Sequence, residues 1–237
     1  MYIPQMAYAG ARLMACAFRS VGIDATVSPD SDAETLELGG LHSSGEECLP
    51  HKVTLGDFLK VCRQSNFDPH KTAFFMPTAH GPCRFGQYAP YLKHQLRAMG
   101  YGDVMVCSPS SDNGYDGIGE QAAELTRTMW MGLVCGDLAT RFLLKTRPYE
   151  TRAGDSDALF RECVDDFGKV LAVPGMTYRQ RLRELVAVVH RMRDRFRALP
   201  AKYARGRPLI GLVGEIFCRL NTVSYTHLRA HETPEHL

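Results

Sequence analysis

Short apolar runs alternate with longer stretches of helical periodicity through the first half of the chain. Met1–Pro4 is a short extended start. Ala7–Ser20 then carries Leu13, Cys16 and Phe18 among several alanines, a composition that favours helix. Asp24–Val27 reads as a second strand, so the chain opens with the strand–helix–strand unit of a parallel sheet. Pro29–Glu47 is polar and rich in glycine and serine, and is expected to be loop or turn. Leu49-Pro50 opens a helix running to about Cys62, because proline is well tolerated in a first turn. Thr72–Met76 is an apolar run consistent with a buried strand and stopped by Pro77. Tyr88, Tyr91, Leu92, Gln95 and Met99 recur at helical spacing over Gln87–Met99. Val104–Cys107 is a fourth strand, ended by Ser108-Pro109.

The second half is mostly helical in pattern. One long helix is predicted over Glu120–Lys145, followed by a pair at about Asp157–Leu171 and Thr177–Leu199. Ala204–Pro208 has the composition of a hinge, and Leu209–Val213 reads as the first strand of a second sheet. The expected organisation is therefore a sheet lobe over 1–115, a helical segment over 116–203, and the truncated start of a second lobe over 204–222. From about Val223 the sequence resembles the translation of sequencing-adapter read-through, so 223–237 is expected to be a non-native tail. His227, His231 and His236 lie in that tail, and an abundance of imidazoles alone does not fix a metal geometry.

Composition narrows the setting. A net charge of +2 gives no overall field that argues for nucleic acid as a partner. No apolar run approaches the roughly 18–20 residues that span a bilayer, so no membrane partner is expected. The start lacks the pattern of a secretory signal, and the expected location is cytoplasmic.

Eight cysteines in a reducing compartment act either as small buried apolar residues or as ligands and nucleophiles. Cys16, Cys62, Cys135 and Cys163 fall in helical patterns, while Cys107 and Cys218 lie in or next to expected strands. Cys48 and Cys83 differ. Cys48 stands in Gly45-Glu-Glu-Cys-Leu-Pro-His-Lys52, just before a helix. Cys83 stands in Gly81-Pro-Cys-Arg-Phe-Gly-Gln-Tyr88, after a strand and again just before a helix, with Arg84 adjacent. Unpaired N–H groups and the positive end of a helix dipole favour thiolate, the form that ligates iron. In an open parallel sheet, ligands sit beyond the carboxyl ends of strands, and the loops before Cys48, around Cys83 and over Cys107–Ser111 would share that edge. The alternative is that glycine and proline merely make turns around inert thiols.

Other signals carry two readings each. Asp112–Gly119 has the context of a phosphate loop but not its glycine spacing, and a turn entering a helix accounts for it equally. Seven arginines at 179, 181, 183, 191, 193, 195 and 197 oppose an apolar set of Leu182, Leu185, Val186, Val189, Met192, Phe196 and Leu199. They form either a docking face or a solvated face on a core-packed helix. Arg147 suits bidentate binding of a phosphate or carboxylate, or ordinary helix-stop chemistry before Pro148. Glu46-Glu47 and Asp165-Asp166 lack acid–base context and are expected to be solvated.

Several motifs occur in order along residues 1–222: Met1-Tyr-Ile-Pro-Gln-Met6, Ser44-Gly-Glu-Glu-Cys-Leu-Pro50 with Lys52 and Gly56-Asp57, Phe75-Met-Pro-Thr78, Gly81–Tyr88, Lys145-Thr-Arg-Pro-Tyr-Glu150 and Pro208–Glu215. Together they resemble the dehydratase-like C-terminal region of acyl-CoA dehydratase activases, which is similar to subunits of 2-hydroxyacyl-CoA dehydratases and benzoyl-CoA reductases. The resemblance implies Rossmann-like lobes of parallel sheet and flanking helices, meeting at a cysteine-ligated iron–sulfur cluster of four-iron, four-sulfur type. It implies cluster-ligand roles for Cys48 and Cys83, with a third ligand outside this chain and Arg84 tuning charge beside them. Its partners would be an ATP-hydrolysing activase module, fused or separate, and acyl-CoA dehydratase components. The chain lacks a Gly-x-x-x-x-Gly-Lys-Ser/Thr motif and the activase phosphate loop, so ATP hydrolysis is not expected. No catalytic residue is assigned. The rival readings are a cluster-free scaffold and a CoA- or nucleotide-binding domain without catalysis.

Overall fold

The structure is a computed structural model that describes residues 1–79, 81–110, 121–204, 211 and 213–221. It is an α/β protein built on a four-stranded, wholly parallel sheet with helices between the strands. Strands β1 (Tyr2–Ile3), β2 (Thr26–Val27), β3 (Ala73–Phe75) and β4 (Met105–Cys107) lie in the order β2-β1-β3-β4. Tyr2 pairs with Thr26 on one side and Phe74 on the other, and Phe74 pairs with Val106. The chain therefore crosses outward from β1 to β2 and then returns past β1 to β3. Parallel neighbours require such crossovers, and the helices α1 (Tyr8–Ser20), α2 (Ala33–Leu41), α3 (Leu49–Cys62) and α4 (Tyr88–Ala98) provide them.

Two compact units divide the chain. One comprises Met1–Ala11, Ala25–Ala122 and Val213–Leu237; the other comprises Arg12–Asp24 and Ala123–Leu212. The first holds the sheet. Its core joins Phe58, Leu59 and Leu55 of α3 to Phe74 of β3, Leu92 and Leu96 of α4, and Val104 and Val106. The Phe58 and Phe74 rings stack at 4.4 Å and are fully buried, each contributing about 1.5–3 kcal/mol of transfer free energy.

The stretch expected to be loop between β2 and α3 contains α2. Asp32 caps it: its carboxylate accepts from the Thr35 N–H at 3.0 Å, and the Thr35 hydroxyl accepts from the Asp32 N–H at 3.1 Å. Gly39 and Gly40 disfavour helix intrinsically. Packing reverses that preference. A β-carbon on Gly56 of α3 would meet the Thr35 carbonyl oxygen at 2.0 Å, and one on Gly39 would meet the Lys52 carbonyl oxygen at 2.0 Å. Two glycines thus let α2 and α3 touch backbone to backbone.

The second unit is helical: the rest of α1 with α5 (Ala122–Thr146), α6 (Asp155–Leu171) and α7 (Tyr178–Ala198). The core face of α7 is Leu185, Val188, Met192 and Phe196 together with Arg181, while Leu182 and Val186 of the expected apolar set are exposed. Arg181 is fully buried, contrary to its expected place on a basic surface. Its guanidinium donates to the carbonyls of Val170, Leu171, Val173 and Met176 at 2.5–3.3 Å, closing the carbonyl-rich end of α6. Carbonyls at a helix end need such donors. Arg195 also pairs with Glu162 and Asp166 of α6, so Asp166 is not simply solvated.

The expected phosphate-loop stretch Asp112–Gly119 and the tail 223–237 lie outside the described residues. Of the hinge only Ala204, and of the strand expected over Leu209–Val213 only Gly211 and Val213, are described; neither Gly211 nor Val213 is in a strand. Cys218 lies in a short helix, α8 (Ile216–Leu220), and not itself in a strand. No helix among the described residues is long and apolar enough to cross a membrane.

Candidate functional site

The site builds outward from two helix entries. Cys48 is the residue before α3, with extended backbone (φ −69°, ψ 155°), and its carbonyl accepts from the His51 N–H at 3.0 Å. The turn that delivers it is organised by Glu47. That carboxylate accepts from the Ser44 N–H at 3.2 Å, the Ser44 hydroxyl at 2.9 Å and the Gly45 N–H at 3.1 Å. Desolvation opposes ionisation of Glu47, yet these hydrogen bonds hold its carboxyl at about 2. Glu47 was expected to be merely solvated; it is the brace of the Cys48 turn.

Cys83 precedes a 3-10 turn, Arg84–Gln87, that runs into α4. It follows the carboxyl end of β3, the edge where an open parallel sheet holds ligands. Gly86 is required in this turn by close approach, since a β-carbon there would lie 2.7 Å from the Ala79 carbonyl oxygen. Cys83 is exposed and Cys48 is half-buried against the apolar core.

The two cysteine segments meet. Arg84 donates to the carbonyl of Glu46, two residues before Cys48. Tyr88, the first residue of α4, reaches back to Cys48: its hydroxyl oxygen is 2.8 Å from the Cys48 sulfur. Tyr88 is 4% exposed, its ring stacked on His51 at 4.6 Å and met edge-on by Phe85 at 5.2 Å. Burial pushes the Tyr88 hydroxyl above the ordinary phenol range, reinforced by its bond to Cys48 and by the charges that Cys48, Cys83 and Glu215 place nearby.

His51 completes the arrangement. It is 5% exposed, lies between Tyr88 and the edge-on ring of Tyr91 at 4.7 Å, and its Nε2 has no hydrogen-bond partner among the described residues. Burial pulls its imidazole below the ordinary histidine range, with Glu47 opposing. Neither His51 nor Tyr88 stands out in sequence. The signals that mark them are the i, i+3 step from Cys48 to His51 and the position of Tyr88 at the end of the Cys83 motif.

The other expected residues fall elsewhere. Cys107 is buried at the end of β4, and desolvation raises its thiol. Cys62, Cys135 and Cys163 are buried thiols pushed up to about 12, 12 and 11. Cys16 is buried beside Arg19, which donates to its sulfur at 2.8 Å. Arg147 belongs to the helical unit, where it faces Asp157 at 3.7 Å. Glu150, beside it in sequence, accepts from the Gly154 and Ser156 N–H groups at the start of α6. Among the described residues, no three His, Cys, Asp or Glu side chains group as a metal site. The chain matches no protein-family model, no curated protein and no solved structure.

Proposed function

We propose that this chain is an iron–sulfur, electron-transfer component of a 2-hydroxyacyl-CoA dehydratase activation system, built on a Rossmann-like lobe. The supporting observation is that the segments of Cys48 and Cys83, thirty-five positions apart in sequence, touch: Arg84 donates to the Glu46 carbonyl, and the Tyr88 oxygen lies 2.8 Å from the Cys48 sulfur. Sulfur is the donor that iron–sulfur clusters take. Cys48 would hold the cluster against the apolar core, and the exposed Cys83 leaves an open side for ligands from elsewhere. When bound, such a cluster supplies one-electron transfer at low potential. The contacts that would support such a site are those of its loops: Glu47 fixes the turn before Cys48, Arg84 fastens the Cys83 loop to it, and His51 with Phe85 flanks Tyr88. The electron donor would be an ATP-hydrolysing activase module, the acceptor an acyl-CoA dehydratase component, and the setting the cytoplasm.

Anaerobic reconstitution with iron and sulfide tests this reading. The expected outcome is brown visible absorption and protein-bound iron in the wild type, both absent from the Cys48→Ala/Cys83→Ala double variant. A colourless wild-type protein without bound iron would leave the cluster-free scaffold as the better account.

A further inference from the structure

We propose that the seam between α5 and α7 docks an acidic amphipathic helix of a partner protein, with one large apolar side chain of that helix seated in a cavity at the seam's end. The proposal stands on the helical unit alone and needs no cluster. The two helices meet at both ends of the seam. Glu124 of α5 faces Arg181 of α7 at 3.7 Å, and further along both helices the Phe142 and Phe196 rings lie 5.5 Å apart. They therefore run side by side in the same direction. Between those contacts α7 buries Leu185, Val188 and Met192, yet Leu182 and Val186 stay exposed, as does Tyr178. At about 100° per residue, Tyr178, Leu182, Val186 and Val189 form one stripe beside the buried face, about three turns long. On α5, Trp130 and Val134 lie one turn apart and are exposed, Trp130 by 64%. Single exposed apolar residues are ordinary, but a stripe shared by adjoining helices marks an interaction surface.

Charge selects the occupant. Arg127, Arg141 and Lys145 of α5 and Arg179 and Arg183 of α7 are exposed, and none is ion-paired with a described residue. Asp137 is the acidic exception on the outward face of α5, while Glu184 lies on the far side of α7 from the stripe. A second copy of the chain would bring this basic border against itself, which disfavours self-association and favours carboxylates opposite. The cavity favours a protein over a lipid surface. It measures about 230 Å³, and its lining includes Met131, Met176 and Tyr178. Glu124 and Arg181 also line it, but they already face each other, and backbone carbonyls take up the Arg181 guanidinium. Pockets for drug-sized molecules run to roughly 300–1,000 Å³, so this one suits a single side chain. A seated anchor of that kind supplies much of the energy when a helix lies in a groove, and a bilayer surface offers no fixed anchor.

The probe is a synthetic helical peptide of about fifteen residues, with phenylalanine and leucines at i, i+4 and i+7 and glutamates on its flanks. Trp130 is the only tryptophan of the chain, so its fluorescence reports on this face. Titrating the full chain with the peptide is expected to move Trp130 emission to shorter wavelength. Raising salt from about 0.05 M to about 0.5 M is expected to weaken binding about tenfold. Replacing the peptide's phenylalanine by alanine is expected to cost about tenfold in affinity. The Leu182→Glu/Val186→Glu and Arg179→Glu/Arg183→Glu variants of the chain are each expected to cost about the same. These four side chains are exposed, so both variants should keep the wild-type thermal midpoint. A scrambled peptide of identical composition, which keeps the charge and loses the stripe, is expected not to bind. Absence of a shift with the ordered peptide overturns the proposal, and so does equal binding of the scrambled one or undiminished binding by both variants. A shift produced only by vesicles of anionic phospholipid assigns the face to a membrane and overturns it. Self-association in sedimentation that Leu182→Glu/Val186→Glu abolishes assigns the face to a second copy, with the same consequence. None of these outcomes depends on iron, so the iron–sulfur reading is tested separately.

Discussion

Asp57 lies buried on α3, with the Ser31 and Thr35 hydroxyls donating to it at 2.9 and 2.8 Å. Burial pushes its carboxyl up to about 6 against an ordinary 3.8, and the two hydroxyls and Lys60 only partly offset the desolvation. A carboxyl raised in the folded state takes up its proton more readily there than in the unfolded chain. Its stabilising contribution is therefore complete below about pH 4 and is lost as pH rises through about 6. An offset of this size corresponds to about 3 kcal/mol. Wild type is expected to lose that much unfolding free energy between about pH 4 and 7 relative to Asp57→Asn, whose amide does not titrate. Urea unfolding of both proteins across this range measures the difference, and parallel profiles would show that Asp57 ionises in the fold as it does in water.

At the scale of elements, α2 and α3 depend on two points of backbone contact. Gly56→Ala puts a β-carbon 2.0 Å from the Thr35 carbonyl oxygen, an overlap that only helix separation relieves. The expected cost is about 1–3 kcal/mol. Gly40→Ala, one residue beyond the other contact, meets nothing within 4 Å and is expected to be stabilising by about 0.4–1 kcal/mol. Opposite signs for two Gly→Ala changes in adjoining helices, read from thermal or urea midpoints, distinguish close approach from helix propensity. The same pair explains why α2 was illegible in the sequence. Its glycines argue against helix locally, and what reverses them is the surface of α3. By contrast, α3, α4, α6 and α7 carry their own periodicity, and the structure places them within a few residues of the pattern. Arg181 was hidden for a reason like that of α2: a guanidinium reads as surface until the carbonyls of α6 are known to face it. In the site, Cys48 and Cys83 were legible as thiols at helix entries. Tyr88 and His51 were not, because their importance lies in a contact spanning 40 positions and in a ring stack.

At the scale of the molecule, the chain's order and its compact units do not coincide. Helix α1 begins in the sheet unit at Tyr8 and continues in the helical unit from Arg12, while the rest of the helical unit comes more than a hundred positions later. The contacts show why a boundary near residue 115 does not separate two self-sufficient pieces. A β-carbon on Gly132 of α5 would lie 3.2 Å from the Leu13 side chain, and one on Gly168 of α6 would lie 2.9 Å from the Cys16 sulfur. Leu13 and Cys16 are 0% and 7% exposed, so α1 is covered by helices from the distant segment at glycine-permitted spacing. A chain ending at Ala122 retains the four strands β1–β4 and both candidate ligands but uncovers this face, at about 1.5–3 kcal/mol for a side chain such as Leu13. It is expected to bind a hydrophobic dye strongly and to melt well below the full chain. The separate variant Leu13→Asp in the full chain should reproduce much of that loss while leaving the sheet sequence intact. A truncated chain that melts as sharply and as high as the whole would mean that the sheet unit carries α1 unaided, and that the later helices add no stability to it.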